Sequence, residues 1–186
     1  MNIMQKMSNR AYGDPYLKNL IHKLEIDYCR KFYKNSSQLI LNEKEVLYLL
    51  RFSDILCRSE ESIHRNLSLK IISLLLELED INASEYFRVI AANTLVKLGN
   101  FPSLPIIDSD EGYLKVDEIR NDYILKELMQ ESPLGAPFTD AQYNVFEEMK
   151  KRNHYSFSGS TSFGKTFIFE AFTKYIIEER NKTDNI

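Results

Sequence analysis

The sequence predicts a mainly α chain: a multi-helix region over residues 14–130, then a strand–loop–helix unit within residues 138–186. Three observations carry that prediction. Leucine, isoleucine and aromatic residues recur at three- and four-residue steps through most of the first part, the period of helices with one apolar face. Proline-bearing breaks at "FPSLPIIDSD" and "ESPLGAP" interrupt the pattern, as residues that end regular elements should. Finally, "YSFSGSTSFGKTFIFEAF", Tyr155 to Phe172, passes from an alternating segment through a glycine-bracketed loop into a helical repeat. With 44% apolar and 12% aromatic residues, the 186-residue chain can bury a true core and falls outside the compositions that stay disordered.

Residues 1–13 read as a flexible N-terminus. Asp14-Pro15 then gives a capping residue followed by proline at the first helical position, where its missing N–H is not needed. Leu17, Leu20, Ile21, Leu24, Tyr28 and Phe32 form the apolar face of that helix. The next starts from Asn42 as cap, with Glu43 and Glu45 in its first turn, favourable to the positive end of the helix dipole. Leu67, Ile71, Ile72, Leu75 and Leu78 make another apolar face. "ASEYFRVIAANTLVKLGNFP" closes with Gly99, where a left-handed residue is wanted, and Pro102 prevents continuation. Short polar turns between such helices favour antiparallel hairpins. Residues 67–98 resemble a HEAT-type helix pair, although no second copy recurs at a fixed period. "LKVDEIRNDYILKELMQ" adds one more helix, and residues 131–137 form the linker to the second unit. There, "FTDAQYNVFEEMKKR" is a helix capped by Thr139 or Asp140, "HYSFS" a strand, and "KTFIFEAFTKYIIEERNK" a helix. The apolar stripes of residues 14–130 read as core, with a protein-binding groove as the functional alternative.

Composition narrows the function classes. A net charge of −3 gives no global attraction to nucleic acid or anionic membrane, leaving only a local basic surface for such work. The apolar run "IISLLLELE" is too short and too acidic to span a bilayer, and the first residues lack the apolar stretch of a signal peptide. A cytoplasmic chain without a membrane partner is the expectation. The two cysteines, Cys29 and Cys57, form no C-x-x-C pair. His22 and His64 stand at helical spacing from them, but a zinc site needs about four ligands, so both read as reduced thiols.

Chemistry concentrates at "GSTSFGKT", which fits the phosphate-loop pattern G-x-x-x-x-G-K-[ST] in the strand–loop–helix context that gives the pattern meaning. Two of the six glycines of the chain occupy its fixed positions. Gly159 lets the chain turn sharply, and Gly164 lets the backbone approach a phosphate with no Cβ in the way. The amides of Ser160, Thr161, Ser162, Phe163, Gly164, Lys165 and Thr166 can form an anion nest, reinforced by the start of the following helix. Lys165 would reach the β- and γ-phosphates of ATP, and the Thr166 hydroxyl would offer itself to Mg²⁺.

Upstream stands "FTDAQ". Its pairing with "GSTSFGKT" resembles superfamily-two helicases of the DEAD/DEAH type, over residues 137–186, and the "TSFGK" form is similar to that of bacterial anti-phage helicases. The resemblance implies a RecA-like motor domain, an ATP-hydrolysing helicase or translocase acting on DNA or RNA, and a role for Gln142 in bonding the N6/N7 edge of adenine. It also implies a metal-side acid on a later strand and arginines from a second motor domain. The pair Asp110-Glu111 precedes the loop and reads as a solvated acidic turn. The expectation is therefore an N-terminal helicase segment with a truncated RecA-like unit, binding ATP and Mg²⁺ weakly or not at all and incompetent for hydrolysis on its own. The alternative is a helical protein-interaction module with a vestigial phosphate loop.

Overall fold

The computed structural model describes residues 2–33, 39–78, 81, 84–107, 112–151, 154–159 and 163–183. Among them the chain is helical, with no strand: α1 (Ile3–Tyr12), α2 (Pro15–Tyr33), α3 (Glu43–Cys57), α4 (Ser62–Leu76), α5 (Glu85–Leu98), the short α6 (Leu104–Ile107), α7 (Asp117–Met129), α8 (Asp140–Lys151) and α9 (Lys165–Thr183). Single 3₁₀ turns, Phe101–Ser103 and Gly112–Lys115, flank α6. The chain divides into two compact units, one of Met1–Leu98 with Pro102–Arg120, the other of Gly99–Phe101 with Asn121–Ile186. The division falls inside α7.

In the first unit α3 is the central helix, and α1, α2, α4 and α5 all pack against it. Its start is held by a capping box. The Asn42 side chain accepts from the Glu45 N–H at 3.1 Å, and Glu45 returns the favour to the Asn42 N–H at 3.1 Å, so two of the free amides at a helix start are satisfied together. Leu17, Leu20 and Leu24 of α2, Leu49, Leu50 and Leu56 of α3, Ile71, Ile72 and Leu75 of α4, and Phe87 and Leu95 of α5 form the buried core. Where α3 and α4 meet, the core contains hydroxyls: Ser53 and Ser68 lie 2.8 Å apart, and Ser68 Oγ donates to the Ser53 carbonyl at 2.8 Å. Two small side chains let the backbones approach, and their mutual bonding removes the cost of burying them. The buried carboxylate of Asp27 accepts from the N–H groups of Ile40 and Leu41, both at 2.9 Å, fastening the lead-in to α3 onto α2.

Residues 1–13, expected to be flexible, contain α1. Its buried residues are Gln5, Ser8 and Ala11, and Ser8 Oγ donates to the Ile55 carbonyl at 2.9 Å. The contact face is small and polar rather than leucine-rich, so a search for apolar periodicity passes over it. Asp14 caps α2 as expected, accepting from Tyr16 N–H at 2.9 Å, and Gly99 ends α5 at φ +68°.

The second unit is built on α8 and α9, which pack together around buried Phe138, Phe146, Met149, Ile168 and Ala171. Phe138 contacts Phe146 and Phe167 at ring distances of 4.9 and 5.3 Å. Residues 131–137 fold back on themselves: Phe138 N–H donates to the Gln130 carbonyl at 2.8 Å and Ser132 N–H to that of Ala136 at 3.0 Å, with Gly135 at φ +83°. Asp140 accepts from Lys126 at 3.0 Å and from Gln130 Nε2 at 3.0 Å. The expected strand at 155–158 is irregular in the structure. A strand exists only through a ladder with a neighbour, and the described residues provide none; Phe157 instead lies 5.6 Å from the Phe169 ring of α9. No helix among the described residues is long and apolar enough to cross a membrane.

Candidate functional site

The site begins at the start of α8. The Thr139 hydroxyl accepts from Gln142 N–H at 3.3 Å, and Gln142 Oε1 accepts from Thr139 N–H at 3.0 Å. A hydroxyl residue with a glutamine three positions later is a reciprocal cap, so Thr139, not Asp140, occupies the capping position. The other end of the same amide, Gln142 Nε2, donates to the Phe163 carbonyl at 2.9 Å. One side chain thus caps α8 and ties down the last residues of the loop before α9.

Gly164 follows at φ +74°, a conformation that costs an L side chain roughly 1–2 kcal/mol. A Cβ there would stand 2.6 Å from Gln142 Nε2, so the glycine answers to close approach as well as to backbone angle. The Gly164 carbonyl accepts from Ile168 N–H at 3.2 Å, which makes the reversed glycine the immediate lead-in to α9. Lys165 and Thr166 are then the first residues of a long helix, where unbonded amides and the helix dipole concentrate positive potential.

Lys165 Nζ donates to the Gly159 carbonyl at 2.8 Å, so the ammonium lies against the opposite end of the glycine loop. A Cβ on Gly159 would meet the Phe163 ring at 3.0 Å. The two glycines are therefore packed by the site's own residues: Phe163 against the first, Gln142 against the second. Phe163 in turn lies 6.0 Å from the Phe157 ring. Thr166 is exposed and lines a groove along α9 with Phe169, Glu170, Thr173, Lys174 and Ile177.

Of the site residues predicted from sequence, the structure brings Gln142, Gly159, Phe163, Gly164 and Lys165 together, with Thr166 beside Lys165 at the head of α9. Ser160, Thr161 and Ser162 lie outside the described residues, as do Asp110 and Glu111. Gln142, given the adenine edge by resemblance, has both ends of its amide bonded within the chain. Thr139 was missed as a site residue, although T-x-x-Q ahead of an apolar run is itself a capping signal. The Phe163 carbonyl as partner of Gln142 had no sequence signal.

The cysteines and histidines lie elsewhere. Cys57 is buried, its thiol pushed up to about 12, chiefly by burial, and Sγ donates to the Asp54 carbonyl at 3.0 Å. His64 Nδ1 lies 2.8 Å from the Ser59 hydroxyl. Among the described residues no three His, Cys, Asp or Glu side chains converge as a metal site. Comparison of the chain with protein-family models, with curated proteins and with solved structures finds no match. The chemistry of the site is therefore read from its own residues.

Proposed function

We propose that the second unit carries the phosphate-binding side of a nucleoside-triphosphate site, of the kind with which superfamily-two helicases and translocases drive movement on DNA or RNA. The finer fold that accompanies this reading is the opening strand, phosphate loop and helix of a RecA-like domain, preceded by a helical accessory region. One observation carries the reading: a left-handed Gly164 directly ahead of a 19-residue helix that begins with Lys165 and Thr166. An ordinary glycine turn needs neither the lysine nor the hydroxyl. A triphosphate uses both, since a lysine neutralises its terminal phosphates and a helix start donates N–H groups to its oxygens.

The residues present fit this ligand. They offer an ammonium, a hydroxyl and helix-start amides, all complementary to anionic oxygen. Mg²⁺ commonly keeps several waters and is held through substrate phosphates, so the metal would arrive on the nucleotide, with Thr166 as its protein ligand. Bound ATP would supply the energy for any mechanical work. Lys165 would exchange the Gly159 carbonyl for the β- and γ-phosphates, and the amides of Gly164, Lys165 and Thr166 would orient the chain of phosphates.

Titration of the full chain with a fluorescent ATP analogue and Mg²⁺ tests the reading. Weak but saturable binding is expected, weakened at least tenfold further by Lys165→Ala, in keeping with loss of a charge-assisted contact. Equal binding by wild type and Lys165→Ala would remove the phosphate-loop reading. That result would favour the second reading, a helical protein-interaction module, for which one observation speaks: Ile124, Leu125, Leu128 and Met129 share one side of α7 and are all exposed, an apolar patch of the sort that meets a partner.

A further inference from the structure

We infer that Gln142 is a positioning residue that sets the shape of the phosphate loop and does not select the base, so that the site holds nucleoside triphosphates by their phosphates with little regard to the purine. The inference rests on the triphosphate reading above and concerns how that site chooses its ligand.

A glutamine that reads adenine presents its amide oxygen and nitrogen side by side to the base edge, one accepting and one donating. Here both are turned to the chain. Gln142 Oε1 accepts from Thr139 N–H at 3.0 Å and Nε2 donates to the Phe163 carbonyl at 2.9 Å. Swinging the amide onto a base would break the Oε1 half of the α8 cap and release the loop in one movement, leaving only the Gln142 N–H bond to the Thr139 hydroxyl. The packing is fitted to the present position: Nε2 lies 2.6 Å from where a Cβ of residue 164 would be. It occupies the space that the glycine leaves open, and no other residue type at 164 would admit it. The carbonyl it holds belongs to Phe163, whose ring lies against Gly159 and Phe157. Through that residue, the Gln142 amide restrains the end of the loop, whose next residues are Gly164 and Lys165. The group would act on the ligand through the loop, by holding Phe163, and not by contact with base or phosphate.

The test is calorimetric titration of the full chain with Mg²⁺ and, separately, ATP, GTP and inorganic tripolyphosphate. Wild type is expected to bind ATP and GTP within about threefold of each other. Gln142→Ala should weaken all three ligands by a similar factor, about threefold to tenfold, the worth of one net hydrogen bond. Thr139→Ala removes the cap hydroxyl but leaves the bond to Phe163, and should change none of the three by more than about twofold. A Gln142→Ala chain that loses ATP affinity while keeping GTP and tripolyphosphate overturns the inference and leaves the triphosphate reading standing. A wild-type chain that binds none of the three overturns both. Should Gln142→Ala fail to fold, hydrogen exchange of the Gln142 side-chain amide in wild type decides: protection supports the restraint, and exchange as fast as that of a free glutamine amide refutes it.

Discussion

Replacing Gly164 by alanine separates the two demands that the structure makes on that position. The backbone sits at φ +74°, which an alanine adopts at a cost of roughly 1–2 kcal/mol. The new methyl would begin 2.6 Å from Gln142 Nε2. Because that atom ends a flexible side chain, the contact is relieved by rotation and not by moving backbone. The rotation forfeits the bond to Phe163, a further 0.5–1.5 kcal/mol or so. Against these stands the entropy that alanine removes from the unfolded chain, about 0.4–1 kcal/mol. The net cost is about 2 kcal/mol, and it falls to about 1 kcal/mol in a Gln142→Ala background, where the contact is already gone. The chain has no tryptophan, so amide hydrogen exchange along α9 is the better assay, with Ile168 N–H, bonded to the Gly164 carbonyl at 3.2 Å, as the nearest reporter. Equal costs in the two backgrounds would refute the claim that Gln142 and Gly164 are fitted to each other.

Gly99→Ala should be more damaging than Gly135→Ala, although both glycines have positive φ. A Cβ at Gly99 would collide with Asp140 Oδ1 and lie 2.8 Å from the Asp140 amide nitrogen, whereas Gly135 faces open space; thermal melts should register about 3 kcal/mol or more against about 1 kcal/mol. Buried Cys57, with its thiol pushed up to about 12, should resist a disulfide reagent at pH 8 that modifies exposed Cys29, and unfolding should release the second thiol. The Glu45 carboxyl is held below the usual carboxylate range, first by its 2.6 Å bond to Lys23 and then by Asn42 N–H. A depressed folded-state value stabilises above the unfolded value and is lost as pH falls through the folded one. Acid titration of Glu45→Gln should therefore show a flatter loss of stability below about pH 4.3 than wild type, and superimposable curves would count against this pairing.

Some of this was decided along the chain itself. The caps Asp14, Asn42 and Thr139, the stop at Gly99 and the leucine faces of α2 to α5 depend on neighbours within a turn or two, so their residue types announce them. The glycine turn into α9 was legible for the same reason, since the G-x-x-x-x-G-K-[ST] pattern is a run of local requirements. Tertiary structure decided the rest. α1 docks through Gln5, Ser8 and Ala11, whose polarity conceals a buried face until Ile55 is there to bond it. Ser53 and Ser68 look like surface residues until two backbones approach closely enough for them to satisfy each other. The segment at 155–158 alternates like a strand, yet alternation fixes only which faces are apolar, and a ladder needs a partner that no local pattern provides. Gln142 shows the same limit most clearly: the sequence offered Thr139 or Asp140 as the cap, but the hold of Gln142 on the Phe163 carbonyl exists only because α8 and α9 pack around Phe138.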